Sequence, residues 1–350
     1  MGETWVRSGL LEADRAVTGS PRGAPIAAGV YVWEVFPAAP IPHGIGGPPN
    51  GPPAAGSGKA ARSGLGSRSD PFSPGKLPMD DSAPLPRYLH GYSPEEQARL
   101  VEQAEYWREQ LILPDLPYAA GERLLDVGCG AGAVLGVIAS AFPGLHLAGV
   151  DREPKQIEAA TAHLAALGLP AADLRVGDAN RLPWPDRHFD HAYLMWFVEH
   201  VQGIEPILRE IRRVLKPGGT ITINETEYES YHVWPEHADW EYLEEAMFRH
   251  FQAHGEAHAG RRLGPLLIEA GFSAVTNRLV GAHFFVGSGD DSLARHTRYT
   301  ADYIEPAIPE FVAMGSDEAR LRRGLDHLLS IHDDPHGAFT QLVYRARGRA

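Results

Sequence analysis

The chain has 350 residues, 43% of them hydrophobic, and a formal net charge of -13. That length permits one large domain or two small ones, the composition is ordinary for a globular protein, and the acidity disfavours a nucleic-acid partner because it repels phosphate backbones. The single cysteine, Cys129, excludes an internal disulfide and any multi-cysteine zinc site. No run of about 18 apolar residues marks a membrane span, and the N-terminus lacks the basic start and compact apolar core of a secretory leader, so cytoplasmic residence without membrane attachment is expected.

Residues 1–84 hold seven basic and seven acidic side chains, so the whole net charge falls on the rest of the chain. From Gly19 to Pro84 the sequence is crowded with Gly, Pro, Ala and Ser, a composition that cannot bury enough apolar surface to offset its ordering entropy. A disordered extension over 1–84 is expected, with the apolar run Gly29–Phe36 as an isolated strand or partner-binding peptide. Met79 stands at the compositional shift and is a candidate start of the working protein.

Order is expected from Ser93, an N-cap candidate followed by Pro94 and, three residues on, Glu96. Leu100, Ala104, Trp107 and Leu111 then recur at helical spacing through Ile112. Beyond them strands and helices alternate. Strands are predicted at 123–127, 145–150, 173–176, 191–197 and 220–226, with helices at 134–141, 153–167 and 204–215. Late strands at 273–286 and 339–345 bracket helices near 291–314 and 316–331, and a further helix is expected over 260–270. Such alternation predicts an α/β fold, a doubly wound parallel sheet.

In such sheets a ligand sits beyond the carboxyl ends of the strands. The first strand ends in Asp126 and runs into Gly128, Gly130 and Gly132, a turn that leaves backbone N–H groups open to a ligand at the start of a helix. Gly128, Gly130 and Ala133 also satisfy the dinucleotide pattern G-x-G-x-x-A. Asp151 closes the second strand, where a carboxylate can accept both ribose hydroxyls. Asp178 closes the third, where it can accept from an exocyclic adenine amine. Together these positions describe an adenosine.

Four blocks resemble the class I S-adenosylmethionine-dependent methyltransferases of small-molecule type. They are Leu125–Gly132, Gly149–Asp151, Gly177–Asp178 with Leu182 to Trp184 and Phe189–Asp190, and Arg213–Gly219. The resemblance implies a seven-stranded Rossmann-like sheet of order 3-2-1-4-5-7-6, its last strand antiparallel, with S-adenosyl-L-methionine as cofactor. It also implies an N-terminal lid over 85–118, a cofactor-binding core over 119–227, a substrate loop and helical cap over 228–338, and a last strand over 339–346. Gly128, Gly130 and Gly132 would approach the methionine part. Asp151, with Arg152 beside it, would hold the ribose, and Asp178 and Ala179 would border adenine. Met195 and Trp196 would line the sulfonium side, Tyr88, Tyr92 and Gln103 would cover the donor, and Asp126 would touch it or orient the loop.

The stretch Glu225–Trp234 is expected to overhang the ligand crevice as a loop and form the acceptor pocket with Trp240 and Tyr242. Glu225, His232 and His283 are the candidate bases for an acceptor that must lose a proton, and His200 is a further residue that would touch substrate or only orient backbone. His250, His254 and His258 recur at helical spacing, but Gly255 interrupts them and no metal is expected. The reading is methyl transfer to oxygen, nitrogen or carbon of a small molecule, with the late helices closing the site or making a homodimer face. A noncatalytic adenosylmethionine-binding module and a protein-directed methyltransferase stand as alternatives.

Overall fold

The computed structural model describes residues 91–350, and the expectations for Tyr88, the extension over 1–84 and the Met79 start lie outside the described residues. Helix α1 (Pro94–Tyr106) begins where Ser93, in extended geometry, accepts the amide of Glu96 at 3.2 Å. It ends at Tyr106, six residues before the predicted end, with Trp107 as its cap; a single π turn (Arg108–Ile112) follows. Then come β1 (Arg123–Val127), α2 (Ala133–Ala141), β2 (His146–Asp151), α3 (Pro154–Ala166), β3 (Asp173–Val176), β4 (Phe189–Met195) and α4 (Glu205–Val214). These match the predicted elements to within one or two residues. The sheet continues with β5 (Leu215–Trp234), which is followed by α5 (Ala238–His254) and α6 (Ala259–Glu269). Last are β6 (Ser273–Phe285), α7 (Ser292–Ile304), α8 (Ile308–Ala313), α9 (Glu318–Ser330) and β7 (Ala338–Arg349).

The seven strands lie in the order β3-β2-β1-β4-β5-β7-β6, as the resemblance implied. The first five are parallel, and β7 runs antiparallel to both β5 and β6. Buried residues of β1, β4 and β5 pack under α4 and α6 on one face, through Ile207, Leu208, Ile211 and Leu263. On the other face Trp107, Leu111, Leu135 and Ile138 bring the end of α1, the π turn and α2 against β1.

The expected acceptor loop at Glu225–Trp234 is instead a strand. β5 runs ten residues past the parallel sheet, and Glu225 to Glu227 and then His232 to Trp234 pair with β7 across a bulge. Tyr228, Tyr231 and Val233 point to one side, so this ribbon acquires an apolar face and needs a cover. Helices α5, α7, α8 and α9 supply it through Trp240, Met247, Phe251, Ile304, Phe311 and Leu328, making a second core beside the parallel half of the sheet. Truncating a fully buried ring such as Phe251 to alanine would cost about 3–5 kcal/mol.

Candidate active site

A cavity of about 820 Å³ opens beyond the carboxyl ends of β1, β2 and β4 and runs under the second core. Its volume falls within the roughly 300–1,000 Å³ range of small-ligand sites. The loop after β1 forms its floor. The amides of Gly128 and Cys129 both donate to the Val150 carbonyl, at 2.9 and 3.0 Å, which ties the loop to the end of β2. Asp151 completes the tie, its two oxygens accepting the amides of Gly130 and Glu153 at 3.0 Å each. Gly130 has φ +49, and a Cβ there would point between Leu100 and Gln156, both of which line the cavity. The backbone is therefore left bare where a ligand can lie against it.

Of the residues expected to hold the cofactor, Tyr92, Gln103, Gly128, Gly130, Asp151, Arg152, Asp178, Ala179, Met195 and Trp196 line the cavity. Asp178 Oδ1 accepts the amide and side-chain nitrogen of Asn180, at 2.9 and 3.0 Å, which fixes the β3 end. Gly132 does not reach the cavity. A Cβ on it would meet Ala160 of α3 at 3.1 Å, so its role is to let the start of α2 pack on α3. Asp126 is also absent from the lining and is only 3% exposed. Burial, followed by the charge of Asp151, pushes its carboxyl up to about 8, so it sits beneath the loop as a neutral acid. Cys129 is buried between the two glycines, and burial raises its thiol, which leaves it inert.

The expected bases are placed differently. Glu225 has no exposure; its carboxylate accepts the amides of Phe197, Val198 and Glu199 at 3.0, 2.7 and 3.3 Å and so holds the turn after β4. His232 and His283 open on a separate recess of about 280 Å³ near Trp234 and Trp240, and His283 Nδ1 lies 2.8 Å from Thr340 Oγ1. The strand geometry of β5 carries them there. Alternation sends His232 to the face opposite Tyr231, and pairing with β7 sets both imidazoles around Thr340.

His200 does line the cavity, its Nε2 3.4 Å from Glu199 Oε1, and burial drives it down to about 3, so the imidazole is neutral. His250 and His254 line the same cavity, their rings 4.5 Å apart. His258 belongs to the cap of α6 and not to their helix, because Gly255 ends α5. Among the described residues the one grouping with metal-ligand spacing is Glu227, Glu229 and His258, and the Arg261 guanidinium bonds to both carboxylates.

Several lining residues carried no sequence signal. Tyr299, Thr300 and Tyr303 arrive from α7, Gln341 from β7, and Arg99 from α1. The lid and cap are joined directly: Tyr106 stacks on Tyr299 at 4.6 Å, the Trp107 indole donates to Tyr299 Oη at 2.9 Å, and Tyr106 Oη lies 2.8 Å from His296 Nδ1. At the end of β4, Trp196 holds φ +50, a conformation costing about 1–2 kcal/mol for a side chain of this kind, and its indole donates to Thr226 at 2.9 Å. Strain of that kind gathers at ligand sites. The bare loop backbone, the strand-end carboxylates and the unpartnered Gln156 Oε1 suit a nucleoside bearing a charged amino-acid tail.

Residues 125–223 match the family model for a methyltransferase domain. A protein of a transposon in Streptomyces fradiae, described as an uncharacterized 37.1 kDa protein, is 32% identical over 171 residues, 48% of each chain. Ajmaline N-methyltransferase of Rauvolfia serpentina is 35% identical over 126 residues, 36% of this chain and 42% of its own. The 27-O-demethylrifamycin SV methyltransferase of Amycolatopsis mediterranei is 33% identical over 140 residues, 39% and 50% of the two chains. The chain thus spans about half or less of the length of these curated relatives. The domain match falls on the loop, the strand-end acids and β4, and it agrees with the strand order and with the four sequence blocks; over residues 125–223 the chain is similar to methyltransferase domains.

Proposed function

We propose that the protein transfers a methyl group from S-adenosylmethionine to a small-molecule acceptor. The observation that carries this reading is the continuity of one cavity from the glycine loop and strand-end acids to a chamber walled by aromatic side chains of α5, α7 and β5. The donor supplies an activated methyl on a sulfonium, so the chain's task is to align an acceptor with it and exclude water. In this reading the Gly128 and Gly130 backbone meets the amino-acid tail, Asp151 with Arg152 accepts the ribose, and Asp178 with Ala179 borders adenine. Met195 and Trp196 face the sulfonium, while Tyr92 and Gln103 close over it from the N-terminal side.

The enclosed chamber supports a small acceptor over a protein, which would ask for a shallow groove. That it is open and not plugged by the cap supports a catalyst over a noncatalytic binding module. The relatives named for ajmaline and demethylrifamycin, small molecules both, lend the same support. Among the described residues no helix is long and apolar enough to cross a membrane.

The test is thermal. S-adenosylhomocysteine at a hundredfold over its Kd should stabilise the fold by about 2.7 kcal/mol, and Asp151→Asn, which weakens both the loop tie and the ribose contact, should remove most of that gain. A metabolite panel is then screened for the mass gain of one CH2 group. No stabilisation of the native protein by the nucleoside would refute the reading.

A further inference from the structure

The chamber end of the cavity narrows the chemistry of the acceptor. Glu199 lines it, is 3% exposed, and has a buried Oε2 with no partner. Two more lining side chains share that condition, Thr300 at Oγ1 and Gln341 at Oε1; the Gln341 amide nitrogen is already given to Tyr231 Oη at 3.0 Å. An unprotonated carboxyl oxygen and a carboxamide oxygen only accept, and a threonine hydroxyl accepts as readily as it donates, so these three atoms favour a hydrogen-bond donor in the chamber. The walls include the aromatic side chains of Trp196, Tyr228, Tyr231, Phe251 and Tyr299. Aromatic rings attract cations.

Behind Glu199 stands Glu225, fully buried on its three backbone amides. Two adjacent buried carboxyls cannot both ionise, so they hold one proton between them and keep one negative charge. Burial raises both acids, and the charge of Glu225 raises Glu199 further. The groups facing the pair do not cancel that charge. His200 on the same turn and His250 on α5 are held neutral by burial. Tyr228 and Tyr231 on β5 and Tyr299 on α7 are pushed up by burial and keep their protons. Arg152 acts on His200 from the donor end. Arg99 is engaged by Glu96 at 2.7 Å through two bonds and by Gln103 at 2.9 Å.

We propose that the acceptor is an amine, bound with its nitrogen toward Glu199 inside the aromatic walls, and that Glu199, backed by Glu225, takes the proton this nitrogen sheds before methylation. The proposal rests on the methyl-transfer reading. The bound ammonium first gives one proton to Oε2 of Glu199 while the proton already shared settles on Glu225, and the pair passes from one negative charge to none. The nitrogen lone pair so freed forms the new N–C bond as the C–S bond breaks and its electron pair stays on sulfur, and the methylated product leaves as the ammonium. An alcohol brings no positive charge to the aromatic rings. A carboxylate or phosphate meets the charge of the pair.

The test uses the full chain saturated with S-adenosylhomocysteine and two matched sets of probes: tyramine, tyrosol and 4-hydroxyphenylacetate, then hexylamine, hexanol and hexanoate. Calorimetric titration should give an amine preference of at least about tenfold over the matched alcohol in one set or both, with the carboxylates weakest. Glu199→Gln should abolish that preference and leave nucleoside affinity in place. Tighter binding of an alcohol or carboxylate in both sets, no measurable binding of either amine at millimolar concentration, or a preference that survives Glu199→Gln overturns the proposal. The native protein decides the first arm, so a variant that fails to fold does not rescue it. Failure of the native protein to bind the nucleoside sinks the methyl-transfer reading instead.

Discussion

Gly130→Ala separates a ligand-binding loop from a merely tight turn. The added Cβ meets Leu100 Cδ1 at 3.7 Å and Gln156 Nε2 at 4.0 Å, ordinary contacts that need no rearrangement. What remains in the free protein is the cost of a left-handed φ for alanine, about 1–2 kcal/mol, which lowers Tm by roughly 2–8 °C for a domain of this size. With S-adenosylhomocysteine at a hundredfold over its Kd, the native protein should gain about 2.7 kcal/mol, or about 5–11 °C. The new methyl stands on the cavity floor, where the ligand lies against backbone. An affinity loss of about a hundredfold would leave the variant only about 0.4 kcal/mol of that gain, a shift of about 1–2 °C.

Gly128→Ala is the contrasting case. Its Cβ would fall 2.3 Å from Phe197 Cδ2, so the ring must move, adding an overpacking cost of about 1–3 kcal/mol with or without ligand. Differential scanning fluorimetry of the three proteins, with and without the nucleoside, reads all of these quantities. An undiminished ligand shift in Gly130→Ala would refute the placement of the donor on this loop. A free Gly130→Ala protein less stable than Gly128→Ala would instead refute the contacts assigned to the two Cβ positions.

Acid should unfold this protein partly through His296, which has no exposure and which burial holds down at about 3. Unfolded, the imidazole titrates near its ordinary 6.5 and binds a proton the native state refuses, so between about 6.5 and 3 stability falls as pH falls, by about 1.4 kcal/mol per unit. Urea midpoints at pH 7 and 4.5 should therefore converge between native and His296→Gln proteins at the lower pH; parallel losses would remove His296 from the account. His232→Ala and His283→Ala, both at the second recess, should leave nucleoside affinity and methyl transfer within about twofold of the native values. A loss of about a hundredfold in kcat for either would return the proton transfer to that histidine.

The parallel half of the sheet was legible because its determinants are local. Strand, glycine turn and helix follow one another within Arg123–Ala141, and the acids Asp151 and Asp178 close their strands a few residues from the loops they serve. Asp126 and Gly132 share those motifs yet lie below the cavity, a distinction of depth that spacing does not encode. The form of the Glu225–Trp234 stretch, whose Tyr228 and Tyr231 do line the cavity, escaped the sequence for a different reason. Glu225–Trp234 is polar and aromatic by turns, which suits a loop, and only the long antiparallel partner β7 makes it a strand. That pairing buries Glu225 and turns His232 away.

By itself the sequence determined the order of strands and helices, the glycine turn and the acids at the strand ends, since each arises from contacts between near neighbours along the chain. The tertiary structure alone decided that Glu199, Tyr299, Thr300 and Gln341 share one chamber, because these residues are separated by up to 142 positions. They meet only once β7 has paired with β5 and the helices between β6 and β7 have closed over the ribbon. Burial there, and not residue type, raises the Glu199 and Glu225 carboxyls together.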